Sequence, residues 1–167
     1  MFRLLIALAS LSSGAVVLAA DGFTDLPMGA RVGTLKNGAQ VILVPVPGDR
    51  VVVRVSVARG FGDEIVSVDP PKSEVGGMHK LEHMLFYGTR EYPSKENFNR
   101  EVTKNRIQTN ANTDWHETNY FMIGPKESAA SILSLMSSML RSPLLKDKSI
   151  SKIEGMFNTT FSGTENY

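Results

Sequence analysis

The chain has 167 residues, with 18 basic and 17 acidic side chains and a net charge of +1. This length suits one domain with a buried core, and the balanced charge gives no electrostatic case for nucleic acid or an anionic membrane as a partner. Cysteine is absent, which excludes disulfides, thiolate metal ligands and a cysteine nucleophile.

The N-terminus has the pattern of a targeting segment. Arg3 gives a positive start to the apolar stretch LLIALASLSSGAVVLAA, and Val17-Leu18-Ala19 offers a small-x-small cleavage site. This length is typical of a secretory signal and short for a membrane-spanning helix. We therefore predict a signal peptide over residues 1–19 and a mature domain over 20–167, secreted or periplasmic and free of the membrane after cleavage. An uncleaved membrane anchor is the alternative.

The first half of the mature chain is predicted to be rich in strands. Asn37-Gly38 lies between two apolar runs, which is the strongest short signal for a hairpin. Residues 51–59 are β-branched and alternate, which predicts another strand. Residues 60–77 form a loop rich in glycine, proline and charge. A short helix over 78–88 follows.

The second half alternates helices and strands. The predicted elements are a helix over 94–105, strands over 106–114 and 117–124, and a helix over 125–142. Ser94 is a suitable N-cap, and Pro143 ends the last of these helices. A weaker helix pattern covers 147–160, and no closing element follows it, so we expect a domain that is incomplete at its C-terminus. The order predicts an α+β fold, with helices packed on one face of a mainly antiparallel sheet.

Two of the three histidines lie in the stretch GGMHKLEHMLFYGT. On a helix, His79 and His83 share one face, a turn apart, and Glu82 lies at its edge. Two such imidazoles can hold one zinc at about 2.0–2.1 Å. A carboxylate beside the metal can take a proton from water, whose pKa zinc lowers to about 7. The pattern H-x-x-E-H is the inverted form of the zincin motif. Two exposed histidines and a surface charge remain the plain alternative.

The stretch GGMHKLEHMLFYGTREYPSKENFNREV resembles the pitrilysin–insulinase family of zinc peptidases, which includes the mitochondrial processing peptidases. LKNGAQVILVP and ARGFGDE resemble its first hairpin and third strand, and TNANTDWHETNYFM resembles its later strand pair. The pieces occur in order from about Ala30 to Pro143. The resemblance implies a partial pitrilysin-like domain with zinc as cofactor.

Carried over onto this chain, the resemblance implies that His79 and His83 are zinc ligands and that Glu82 is the general base. Asn110 and Ala111 match the edge-strand residues that pair with the substrate backbone. An extended peptide that adds to a sheet edge is a recognised mode of binding. The expected partners are therefore a peptide substrate and a second pitrilysin-like domain or subunit, since family members enclose substrate between related domains.

One part of the family pattern is missing. The third zinc ligand of the family is a glutamate on a later helix, and alignment without gaps from Ser142 brings that position to about Thr160, which is not an ordinary ligand. Glu154 and Glu165 are the nearest carboxylates and are weak candidates. His116 could in principle complete the site, but we expect an ordinary surface histidine on the turn between two strands.

The sequence therefore leads to an exported zinc metalloendopeptidase-like domain that hydrolyses unfolded peptides. The alternative is a non-catalytic family member that acts as a structural or peptide-binding subunit, which the missing glutamate favours. A secreted metal-binding protein without a substrate is a third hypothesis.

Overall fold

The computed structural model describes residues 2–9, 20–64 and 76–145 of the chain. One seven-stranded sheet runs through them, in the order β2-β3-β4-β1-β5-β7-β6. Its strands are β1 Phe2–Ala9, β2 Ala20–Asp25, β3 Arg31–Leu35, β4 Gln40–Val46, β5 Arg50–Val57, β6 Gln108–Thr113 and β7 Thr118–Pro125. Neighbouring strands are antiparallel except β1 and β4, which are parallel. The predicted, mainly antiparallel sheet is therefore confirmed.

The hairpin predicted at Asn37-Gly38 joins β3 to β4. Gly38 has a φ of 82°, which a glycine adopts without steric cost. The N–H of Leu35 donates to the carbonyl of Ala39 at 2.8 Å, and the Asn37 side chain accepts from the N–H of Ala39 at 3.1 Å. The turn is thus closed by backbone bonds and by its own asparagine.

Four α-helices are present in the described residues, and they are α1 Phe61–Glu64, α2 Gly77–Met84, α3 Lys95–Lys104 and α4 Ala129–Arg141. The first is a single turn that opens the segment predicted as loop, so that prediction was wrong for its first residues. Residues 65–75 lie outside the described part. A 3-10 turn, Leu85–Tyr87, continues α2.

The helices cover one face of the sheet, as predicted. α2 packs on β6 and β7, α3 on β6, and α4 on β5 and β7. Alternate residues of β5 are buried beneath them, and the fully buried side chains include Val53, Phe98, Met122, Ile132 and Met139. This burial holds the helices against the half of the sheet that ends in the edge strand β6.

The start of α3 lies where the sequence predicts it. Ser94 has an extended backbone, and its hydroxyl accepts from the N–H of Asn97 at 3.2 Å. Phe98 lies one turn further on and packs edge-to-face on Phe86 and Tyr92, with ring centroids 6.3 and 6.1 Å away. The cap and this aromatic cluster fix where the helix begins and which side it buries.

The first residues of the predicted signal peptide form β1, which lies between β4 and β5. The pairing of β1 with β4 and β5 in the full chain does not test whether residues 1–19 are cleaved. The signal peptide over 1–19 therefore stays a prediction. The helix predicted over 147–160 lies outside the described residues. Among the described helices, none has the length and apolar character needed to cross a bilayer.

Candidate metal centre

The two histidines of the H-x-x-E-H motif are brought together on α2. Their Nε2 atoms are 3.1 Å apart, and their ring centroids are 4.8 Å apart. Two ligands on one tetrahedral zinc, each at about 2.0–2.1 Å, would have their atoms about 3.3 Å apart. The side chains of His79 and His83 therefore already have the separation that a shared zinc requires.

The protonation of His83 also suits metal binding. Burial lowers the pKa of His83, and the nearby His79 adds to this effect, while the charge of Glu82 opposes it. A lower pKa keeps the ring neutral over more of the pH range. A neutral imidazole nitrogen is the form that binds a metal.

Glu82 is the unusual residue of α2 because it is acidic and only 6% exposed. Its Oε2 accepts a hydrogen bond of 2.6 Å from the Thr113 hydroxyl at the end of β6. A buried carboxylate is costly unless hydrogen bonds compensate it. The ligand atoms of Glu82, His79 and His83 all lie within 4.8 Å of one another. The hydroxyl of Thr113 thus orients the carboxylate beside the histidine pair.

Next to the half-buried Thr113 lies a buried threonine, Thr118. Thr118 is fully buried, and its hydroxyl donates to the carbonyl of Arg59 at 2.9 Å. Tyr120 follows on the same strand, where burial and the charge of Glu82 raise the pKa of its phenol. The hydroxyl oxygens of Thr118 and Thr113 are 3.5 Å apart. Thr113 was not among the site residues predicted from the sequence. Strand alternation puts it on the same face of β6 as Ala111, but its bond to Glu82 depends on tertiary packing.

The remaining predicted residues fall in different places. Asn110 and Ala111 lie on β6, the edge strand, where the Asn110 side chain accepts from the N–H of Ala111 at 2.9 Å. His116 is exposed on the turn between β6 and β7 and is absent from the cluster of candidate ligands among the described residues. Glu154 and Glu165 lie outside the described residues. The third ligand therefore stays a prediction.

Comparison with known proteins defines the class. A sequence profile described as Insulinase (Peptidase family M16) matches residues 50–162. This range is more than half of the chain and includes α2 and the strand pair β6–β7. The chain therefore belongs to the insulinase family, whose members are metallopeptidases.

Individual relatives agree. The chain is 37% identical over 91 residues to insulin-degrading enzyme-like 1, peroxisomal, of Arabidopsis thaliana, which covers 54% of this chain and 9% of the relative. It is 32% identical over 122 residues to the insulin-degrading enzyme homolog of Dictyostelium discoideum, covering 73% of this chain and 12% of the relative. The chain thus spans about a tenth of these relatives.

A solved structure of a protease from Helicobacter pylori is similar in fold. The TM-score is 0.68 and the sequence identity is 26%, over 76% of this chain and 29% of the other. The relationship in sequence is therefore matched by a relationship in three dimensions.

The bond between Thr113 and Glu82 leads to a first prediction. Thr113→Val removes the donor to a buried carboxylate while keeping the shape of the side chain, so we expect the metal-free protein to lose about 1–3 kcal/mol of stability. Urea unfolding measures the loss. Thr109→Val is the matched control on the same face of β6, because its hydroxyl makes a longer bond of 3.3 Å to a neutral carbonyl. Equal losses in the two variants would contradict the assignment.

Proposed function

We propose that this chain is an exported zinc metalloendopeptidase domain that hydrolyses peptide bonds of unfolded peptides. One observation carries the proposal. The paired Nε2 atoms of His79 and His83, 3.1 Å apart, lie beside a buried carboxylate that a threonine hydroxyl holds in place. Two imidazole nitrogens and an adjacent carboxylate supply two of the three zinc ligands and the general base that a metallopeptidase uses.

His79 and His83 would hold the zinc, and a glutamate from the part of the chain after residue 145 is the third ligand expected from the family resemblance. When bound, zinc would polarise the scissile carbonyl and make water a better nucleophile near neutral pH. The two imidazoles fit such a site, since zinc in peptidases is bound by two imidazoles and one carboxylate. The substrate is a peptide because the family acts on peptides.

Glu82 is the group that we assign to proton transfer. Thr113 donates to Oε2, so Oε1 is the oxygen that would accept a proton from the attacking water. As the water oxygen bonds to the carbonyl carbon and the C–N bond breaks, the same carboxyl group delivers that proton to the leaving nitrogen. The fixed orientation of the carboxylate favours this transfer because the base does not have to reorganise.

The substrate would bind along the outer edge of β6. Among the described strands, β7 alone pairs with β6, so the other side of β6 could accept an extended peptide as a further strand. Thr113 ends this same strand, two residues beyond Ala111. A peptide aligned on β6 would therefore lead towards Glu82. Asn110 and Ala111 are the residues that we assign to this pairing.

We also propose a second domain or subunit of the same type as a partner. The curated relatives are far longer than this chain, which supports a larger assembly in which the second wall of the substrate chamber comes from elsewhere.

The zinc ligands and the base can be separated by mutation. We expect about one zinc per wild-type chain, loss of zinc in both His79→Ala and His83→Ala, and zinc retained in Glu82→Gln. Glu82→Gln should lower peptide hydrolysis by roughly 10²–10⁴-fold because the amide cannot accept the proton. Metal analysis and cleavage of an unfolded peptide measure both effects, and His116→Ala is the control that should keep zinc.

Different results would point to different conclusions. Normal cleavage by Glu82→Gln would overturn the proposed mechanism. Zinc without hydrolysis in the wild type would favour the non-catalytic or metal-binding alternatives. Absence of zinc from the wild-type chain would contradict the metal centre itself.

Binding at the edge strand gives a third prediction. Asn110→Ala removes a side chain from the edge, so we expect KM for an unfolded peptide to rise several-fold while kcat changes less. Steady-state kinetics separate the two constants. Asn99→Ala is the control, because Asn99 is an exposed asparagine that lies on α3 and not on β6. A fall in kcat with unchanged KM would argue against a substrate role for Asn110.

Export is tested on the expressed full chain. If the leader is processed after Ala19, N-terminal sequencing of the exported protein will begin at Ala20. A protein that retains Met1 and stays with the cell membrane would contradict cleavage and would support the uncleaved anchor.

A further inference from the structure

The start of α2 has no cap from its own N-cap residue. Gly76 occupies that position with a φ of 83°, and it has no side chain that could accept a hydrogen bond. The first backbone N–H groups of a helix have no partner within the helix and carry a partial positive charge. Something else must hold the beginning of the helix that presents His79 and His83.

Glu64, more than ten residues upstream, supplies both acceptors. Its Oε2 accepts from the N–H of Gly76 at 2.6 Å, and its Oε1 accepts from the N–H of Met78 at 2.6 Å. Both carboxylate oxygens thus accept from N–H groups at the start of α2, one from the N-cap residue and one from the second residue of the helix. Hydrogen bonds from N–H groups to a carboxylate are short and strong, and a negative charge is favoured at this end of a helix.

Glu64 itself is held by the sheet. It ends α1, whose backbone bonds to the β6–β7 turn: the N–H of Phe61 donates to the carbonyl of Asp114, and the N–H of Gly62 to that of Trp115, each at 2.9 Å. A Cβ on Gly62 would lie 2.8 Å from the carbonyl oxygen of Trp115. This close approach needs glycine, so α1 has a fixed position relative to β6.

The same short helix touches the metal centre. The ring of Phe61 packs edge-to-face on His79, with centroids 6.0 Å apart. The chain of contacts therefore runs from the end of β6, through the turn and α1, to Glu64 and the first turn of α2. The Glu82–Thr113 bond joins the next turn of α2 to β6 again. Along α2, His79 lies between these two attachment points, and His83 directly follows the second one.

We propose that Glu64 is a positioning residue for the metal centre. By binding the N–H groups of Gly76 and Met78, it fixes where α2 begins and how the helix is rotated about its axis. This rotation decides whether the Nε2 atoms of His79 and His83 point to one shared position. The inference rests on the proposed function, since it concerns the affinity of the proposed site for zinc. Glu64 does not touch the metal.

The first test uses the metal-free full chain. In Glu64→Ala, the amide protons of Gly76 and Met78 should lose the downfield shift that a carboxylate acceptor causes, and the amides of α2 should exchange faster with solvent. Nuclear magnetic resonance measures both. Asp63→Asn is the matched control, because the Asp63 carboxylate accepts from Arg59 and from the N–H of Gly60 at 2.9 Å, both just before α1, and not from α2.

The second test measures zinc affinity by competition with a chelator. Loss of a group that orients metal ligands typically weakens binding roughly 10–100-fold, and we expect a change of this size in Glu64→Ala. Glu64→Gln keeps one oxygen acceptor but not the charge or the second acceptor, so it should restore part of the affinity. Asp63→Asn should bind zinc like the wild type.

Two results would overturn the inference. One is unchanged Gly76 and Met78 amide shifts in Glu64→Ala. The other is a Glu64→Ala protein that exchanges faster and melts lower but binds zinc as tightly as the wild type, which would give Glu64 a purely structural role. Failure of the wild type to bind zinc would instead overturn the proposed function, and the amide measurements would still decide whether Glu64 holds α2.

Discussion

The buried carboxylate of Glu82 is the constraint around which the site is arranged. A carboxyl group at 6% exposure needs a hydrogen-bond partner, and that partner is the hydroxyl of Thr113 at the end of the edge strand. α2 must therefore lie across the end of β6, with Glu82 turned inwards. The i, i+4 spacing then leaves the half-buried side chains of His79 and His83 next to each other on the same face of α2, where a metal could reach them.

This arrangement links the base to the strand that we assign to substrate binding. Thr113 belongs to β6, so the strand that would align a peptide also orients the carboxylate that would act on it. A shift of β6 would move both together. This link between the base and the edge strand does not depend on a flexible element, because α1 and the β6–β7 turn are joined by backbone hydrogen bonds. A site built on rigid elements holds its geometry better than one built on loops.

The chain belongs to the insulinase family and is similar in fold to a Helicobacter pylori protease, and the matched part of the chain includes this site. The chain matches only part of those longer proteins. The described part contains the helix with two histidines and a glutamate, and the strand pair β6–β7 that supports it, in which β6 is the edge strand. These parts are contiguous in the fold because α2 packs directly on β6 and β7.

Local patterns in the sequence determined many of the turns, helix ends and residue spacings of this protein. The Asn37-Gly38 turn, the Ser94 cap and the spacing of His79 and His83 each depend on neighbours within a few residues, and each was predicted. Periodicity likewise gave the α+β class. Thr113 and Glu64 could not be found in this way. Their partners, Glu82 and the start of α2, are 31 and 12 residues away, and only packing of α1 and α2 against β6 brings them together.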